Sequence, residues 1–248
     1  MNLTVGTEFL PIVLGALTNC VILISYCINQ KSLVRIVNRL ITIEHEIDRM
    51  YDLYYPLRRQ RVFYTMIIAC ILNICLLILL VFLDILQEGQ ISLGIADLLT
   101  ICVNWLLIQY FLLVTVIQTD FGDVNRAIQS LTTTNTPDLR LQSLYQTSRV
   151  VVNNSTVYQL LQLRDVHCHL CEISEDVSSF YSLPVLFGII FFFLTLICGG
   201  YNFLLLLLIS VEIFNYWDFI NIIVWMIFLI YPIFLLTNRI TRILIEVG

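Results

Sequence analysis

The run VFYTMIIACILNICLLILLVFL, Val62–Leu83, decides the fold. It holds 22 consecutive residues without a formal charge. A helix needs about 20 apolar residues to cross the hydrocarbon core of a bilayer. In lipid such a run has to be helical, because each unpaired backbone group there costs several kcal/mol. The competing reading is a buried helix of a large soluble protein, and the rest of the chain argues against it. Comparable runs occupy Phe9–Ile28, 95–117 (uncharged from Leu98 to Ile117), Leu183–Ile209 and Phe219–Leu236. The last, at 18 residues, is at the short end for a crossing. Five such runs in 248 residues leave too little polar surface for a soluble domain. The expected fold is all-α: a polytopic helical membrane protein with about five transmembrane helices.

Composition agrees. Only 12% of the residues are charged and 59% are hydrophobic, whereas soluble domains carry roughly a quarter charged residues. That excludes a nucleic-acid-binding protein and disfavours a soluble enzyme. Phe9–Ile28 is not a signal peptide, since only Glu8 precedes it and no small-residue cleavage site follows. The cysteines are not a disulfide framework. Cys20, Cys27, Cys70, Cys75, Cys102 and Cys198 fall inside the apolar runs, where cysteine behaves as a small hydrophobe.

The charges set an orientation. All 13 basic residues fall in three segments: 29–61, 118–182 and the tail 237–248. Segments 1–8, 84–97 and 210–218 carry only Glu8, Asp84, Glu88, Asp97, Glu212 and Asp218. Basic residues beside membrane spans stay in the cytoplasm. The basic segments and the C-terminus are therefore expected inside, and Met1 outside. An exported N-terminus without a signal peptide and a tail stopping after Ile243-Leu244-Ile245 both read as cut ends.

The inner segments are themselves helical. Leu33, Ile36, Leu40, Ile43, Ile47, Met50 and Tyr54 recur at spacings of three and four, and Pro56 stops the pattern. After a turn-prone stretch from Thr132 to Asp138, a second stripe runs through Leu160, Leu163, Val166, Leu170, Ile173, Val177 and Phe180. It continues into the fourth crossing through Ser182-Leu183-Pro184. Both stripes need burial on the same side of the membrane. They are expected to pack together as long cytoplasmic helical extensions. Lying flat on lipid is less suitable, because Glu172, Glu175 and Asp176 are repelled by an anionic surface.

The segment LRDVHCHLCEISEDVSSFYSLPVLFGIIFFFLTLICGGYNF, Leu163–Phe203, has a characteristic order. A leucine-rich helix with a histidine leads to an acidic patch, then Phe-Tyr-Ser, then an aromatic crossing ending near a tyrosine. This resembles the insect gustatory receptor family of chemosensory receptors. The matching positions are Leu163, His167, Leu170, Ile173, Val177, Phe180, Ser182, Leu186, Phe193 and Tyr201. The resemblance implies seven crossings with an inner N-terminus, and a ligand-gated cation channel assembled as a homo- or hetero-oligomer, a tetramer in the family. It also implies a pore lined by a seventh crossing that carries Thr-Tyr and Gln-Phe. Aligned in order, the five spans correspond to the second to sixth crossings, so the chain reads as lacking the first and last.

No enzyme constellation stands out. His167, Cys168, His169 and Cys171 are residue types that bind zinc. However, neighbours on a helix point about 100° apart, so one helix cannot supply four tetrahedral ligands. A packed helix with a hydrogen-bonding His167 is the expected reading, with no metal and no cofactor. Better leads for recognition are polar groups within the spans, which are costly in lipid and belong in a bundle interior or cavity. They are Asn73, Asn104, Gln109, Tyr201, Asn202 and Asn221, with Trp225 beside them. Near the outer end, Asp97, Asn104, Tyr201, Asn202, Asn221 and Trp225 are the candidates for a tastant pocket, with Asp84 nearby. Interhelical hydrogen bonding is the plainer account of each, and Gly199-Gly200 would permit either close approach or a looser helix. The sequons at Asn2 and Asn153 are expected to be unused.

The function implied is a plasma-membrane gustatory receptor gated by a small-molecule tastant. A truncated, non-conducting or regulatory subunit is the alternative. A transporter is disfavoured, because no internal repeat and no midplane charge is present. Lipid, tastant and other subunits are the expected partners, and nucleic acid is not.

Overall fold

The computed structural model describes residues 3–51, 56–88, 94–135, 154–209 and 216–247. These form α1 Leu3–Tyr51, α2 Pro56–Glu88, α3 Ile95–Asn135, α4 Asn154–Ile209 and α5 Tyr216–Val247. All five are long and apolar enough to cross a membrane. The chain is an all-helical, multi-pass membrane protein. The turn expected around Pro137, the sequon residues Asn2 and Asn153, and Tyr54 lie outside the described residues.

The helices are longer than a crossing requires. With a rise of about 1.5 Å per residue, the 56 residues of α4 span nearly three times the ~30 Å hydrocarbon core. The expected change from span to polar extension is not a break in the chain. α2, α3, α4 and α5 pass through it as continuous helices. In α1 the change is marked by a kink at Asn29, whose backbone (φ −103°, ψ 16°) leaves helical geometry. Asn29 directly follows the last apolar residue of the first run. Pro56, expected as a stop, is the first residue of α2, where its missing N–H costs nothing.

The exposed side chains fit a lipid setting. Phe63, Ile67, Ile71, Ile74, Ile78 and Phe82 run exposed along α2. A stripe of that size is a liability in water and ordinary against hydrocarbon tails.

α3 is the central helix. It packs against all four others, while α1 pairs with α4 and α2 with α5. Half of its most apolar stretch is buried inside the protein, against 17–22% for the other helices. Two close approaches hold α1 and α4 to it. A Cβ added to Gly15 would lie 3.0 Å from the Phe191 ring and 3.3 Å from Leu99. One added to Gly188 would lie 3.1 Å from Val103. By contrast, a Cβ added to Gly199 or Gly200 would meet nothing within 4 Å among the described residues.

The basic end is a three-helix bundle. Ile36 and Ile43 of α1 share one core with Leu163, Val166, Leu170, Ile173, Val177 and Phe180 of α4. The stripes expected to pack together do so as far as Ile43, and the side chains from Ile47 to Tyr54 are outside the described residues. α3 adds a third stripe: Ile117, Phe121, Val124, Ile128 and Leu131. At the rim, Arg39 Nη1 reaches Asp176 Oδ2 at 3.3 Å and Glu172 Oε2 at 3.7 Å, tying α1 to α4. These groups are well exposed, so they orient more than they stabilise. A separate, smaller core joins α2, α3 and α5 toward the acidic end: Leu80, Leu83, Val224 and Phe228, with Ile101 and Trp225 against them.

Candidate functional site

Polar side chains inside the spans include some that bond across to another helix and some with a buried oxygen left without a partner. The first group is structural. Tyr26 on α1 donates its hydroxyl hydrogen to Gln109 Oε1 on α3 at 2.8 Å. Its ring also meets Phe180 edge-on at 5.3 Å, and Phe180 and Tyr110 both contact Tyr181. This aromatic cluster locks α1, α3 and α4 together where the first apolar run ends, and it accounts for Gln109. Asn19, in the first crossing, donates from Nδ2 to its own helix at Gly15 and to the Leu99 carbonyl oxygen of α3 at 3.2 Å.

The second group lies at the α2–α3–α5 junction. Asn104 on α3 is fully buried. Its Nδ2 donates to the Phe228 carbonyl oxygen of α5 at 3.4 Å, while its Oδ1 has no partner. Asn73 on α2 is likewise buried, and its Oδ1 is also unpartnered. A buried, unmet hydrogen-bonding group costs about 1–3 kcal/mol, and two such oxygens lie on adjacent helices here. The helix register brings them to a similar level. The Tyr231 hydroxyl of α5 donates to the Ala69 carbonyl oxygen of α2 at 3.2 Å. Asn73 is one turn beyond Ala69, and Phe228 is about one turn before Tyr231, on antiparallel helices. The small core at the acidic end closes over this level with Leu80, Leu83 and Val224, and Trp225 stands edge-on to Phe228 at 5.7 Å.

Of the sequence candidates, Asn104 and Trp225 lie at this junction, with Asn221 one turn beyond Trp225. Asn221, Trp225 and Phe228 follow a 4,3 spacing on one face of α5, and that helix carries the carbonyl that holds Asn104. The other candidates are placed elsewhere. Asp97 acts locally. Its Oδ2 accepts the Gly94 N–H at 2.9 Å, and the Gly94 carbonyl oxygen accepts from the Asp97 and Leu98 N–H groups. This reciprocal arrangement caps α3. Tyr201 and Asn202 are toward the acidic end of α4, Tyr201 half-buried and Asn202 exposed. Phe203 beside them stacks on Phe219 of α5 at 5.1 Å. Neither Tyr201 nor Asn202 reaches the Asn104 junction by a hydrogen bond among the described residues. Asp84 lies half-buried at the outer end of α2.

The resemblance positions are mainly packing positions. Leu163, Leu170, Ile173, Val177 and Phe180 are buried, whereas Leu186 and Phe193 point outward toward lipid. His167 lies edge-on to Phe121 at 5.3 Å, and its Nδ1 is 3.7 Å from Cys171 Sγ. Among the described residues no group of three or more His, Cys, Asp or Glu is placed to hold a metal.

Sequence reasoning missed Phe228 and Tyr231, which carry the polar links of α5 but read as ordinary span residues. It also missed a concavity of about 480 Å³ at the basic end, lined by Phe121 of α3 and by Cys171, Ser174, Glu175, Ser178 and Ser179 of α4. The regular 4,3 spacing of Ile117, Phe121, Val124, Ile128 and Leu131 was the available signal for the helix that walls it.

A family model described as 7tm Chemosensory receptor matches residues 4–246, which include all five helices except Leu3 of α1 and Val247 of α5. No curated protein and no solved structure matches this chain.

Proposed function

The chain belongs to the 7tm chemosensory receptor family, and on that footing we propose that it is a gustatory-type receptor of the plasma membrane. A small-molecule tastant binds at the α2–α3–α5 junction, and binding opens a cation channel formed with other subunits, a homo- or hetero-tetramer in keeping with the resemblance. The basic ends of the helices face the cytoplasm, as the positive-inside rule requires. The junction with Asn73 and Asn104 then lies within the bilayer, beneath the small apolar core of Leu80, Leu83 and Val224.

One observation carries the site: two buried amide oxygens, Asn73 Oδ1 and Asn104 Oδ1, have no partner at the edge of an apolar, aromatic-bearing core. Small-molecule sites have this form, with apolar walls and a few placed polar groups. A ligand that donates two hydrogen bonds and carries an apolar body satisfies both features. Binding there acts between α5 and its neighbours, because Asn104 and Tyr231 link that helix to α3 and α2.

The test is expression in a cell without endogenous receptors, alone and with a seven-span relative, under a panel of hydroxylated tastants. Tastant-evoked cation current in either setting supports the reading. Current only with the relative makes this chain a subunit. Substrate flux without current makes it a transporter and removes the proposal.

A further inference from the structure

The concavity at the basic end lies away from the α2–α3–α5 junction and contains a different chemistry. Cys171, Ser174, Glu175 and Ser178 sit at spacings of three, four and seven and so share one face of α4. With Ser179 and Phe121 they line a concavity of about 480 Å³. Cys171 is exposed, and its Sγ lies 3.7 Å from Nδ1 of His167 one turn back. The His167 ring is fixed by its edge-on contact with Phe121 at 5.3 Å and 74°. A thiol, a base in hydrogen-bond reach and a third group orienting the base are the parts of an activated nucleophile.

We propose that Cys171 is a covalent acceptor site for soft electrophiles of the α,β-unsaturated carbonyl class, with His167 as its base. With His167 protonated on Nε2, the thiol donates its hydrogen to Nδ1. The sulfur electron pair forms a C–S bond to the β-carbon, and the C=C π pair shifts to give an enolate. The hydroxyls of Ser174 and Ser178 donate hydrogen bonds to the enolate oxygen, and the apolar part of the electrophile rests on Phe121. The imidazolium then returns its proton to the α-carbon. The product is a saturated thioether containing every atom of both reactants, and no oxidant or reductant is consumed. Glu175 acts against the step, because its negative charge opposes charge building on sulfur and on the enolate. Its position on the same face makes it a brake on the site.

The helix supplies its own control. Cys168 is also exposed and sits one turn before Cys171, but it lines no part of the concavity. It has no hydrogen-bond partner among the described residues. The experiment is a time course of N-ethylmaleimide modification of the full chain in membranes, read at each cysteine by peptide mass spectrometry. Cys171 is expected to react about a hundredfold faster than Cys168, the lower end of what a positioned base supplies. His167→Gln should bring Cys171 down to the Cys168 rate, and Glu175→Gln should raise it. Crotonaldehyde should give the same order. Equal rates at the two cysteines in the unaltered chain overturn the proposal, and that comparison needs no substitution to fold. An unchanged Cys171 rate in His167→Gln also overturns it.

Discussion

Asn104 on α3 donates its side-chain N–H to the main-chain carbonyl oxygen of Phe228 on α5 at 3.4 Å, and the oxygen of the same amide is buried with no partner. A buried amide oxygen without a partner carries a desolvation cost of about 1–3 kcal/mol. The half-met amide therefore costs stability in the empty receptor, and a donor that fills the site offsets that cost.

That asymmetry predicts an unusual substitution. Asn104→Leu keeps the branched shape and removes the unmet oxygen. It also strands the Phe228 carbonyl oxygen, which has no donor within α5 because residue 232 is proline. The two effects oppose, so the ligand-free protein should change in stability by less than about 2 kcal/mol. Thermal unfolding of the purified protein in detergent measures it. A loss of several kcal/mol would make the amide a structural tie instead.

The Tyr26–Gln109 bond should behave in the opposite way. Tyr26→Phe leaves the ring against Phe180 but strands Gln109 Oε1. Interhelical hydrogen bonds in membrane proteins average about 0.6 kcal/mol in double-mutant cycles. The cycle of Tyr26→Phe with Gln109→Leu should return a coupling of about that size, and zero coupling contradicts the contact.

The glycines separate close approach from open space. Gly188→Val places branches where a Cβ alone already stands 3.1 Å from Val103, and overpacking typically costs about 1–3 kcal/mol. Gly200→Ala meets nothing within 4 Å and gains helix propensity, so it should be neutral or stabilising by up to ~1 kcal/mol. Expression level and unfolding temperature of the pair decide this, and equal losses at both sites would contradict the packing.

Orientation is open to a direct check on α4. Cys168 is exposed at the basic end, which the positive-inside rule puts in the cytoplasm. A membrane-impermeant maleimide added to intact cells should leave it unmodified and should label it after permeabilisation. Labelling in intact cells inverts the orientation.

Much of this fold is written in the sequence. Val62–Leu83 and its four counterparts identify the crossings, and the stripes Leu33–Ile43 and Leu163–Phe180 identify helices that bury one face against each other. The central place of α3 is not legible there. Its span is no more apolar than the others, and its burial follows from being surrounded by four helices rather than from composition. The site was partly legible for the same reason. Asn104, Asn221 and Trp225 stand out as polar or amphipathic residues in lipid-length runs. That Asn104 meets α5 at Phe228, beside Trp225, depends on the register of α5, which Tyr231 and Ala69 set. Asp97 drew notice for its charge, but its nearest donor is the Gly94 N–H at its own helix start. Periodicity does not distinguish a cap from a ligand anchor.

The most direct test of recognition at this junction is a tastant dose–response of cation current for the native chain and for Asn104→Leu at matched surface expression. A tastant held by Asn104 predicts a shift to at least about tenfold higher concentration in the variant, the effect of losing one buried hydrogen bond worth about 1.4 kcal/mol. An unchanged dose–response, with an active tastant and matched expression, would place recognition somewhere other than the α2–α3–α5 junction.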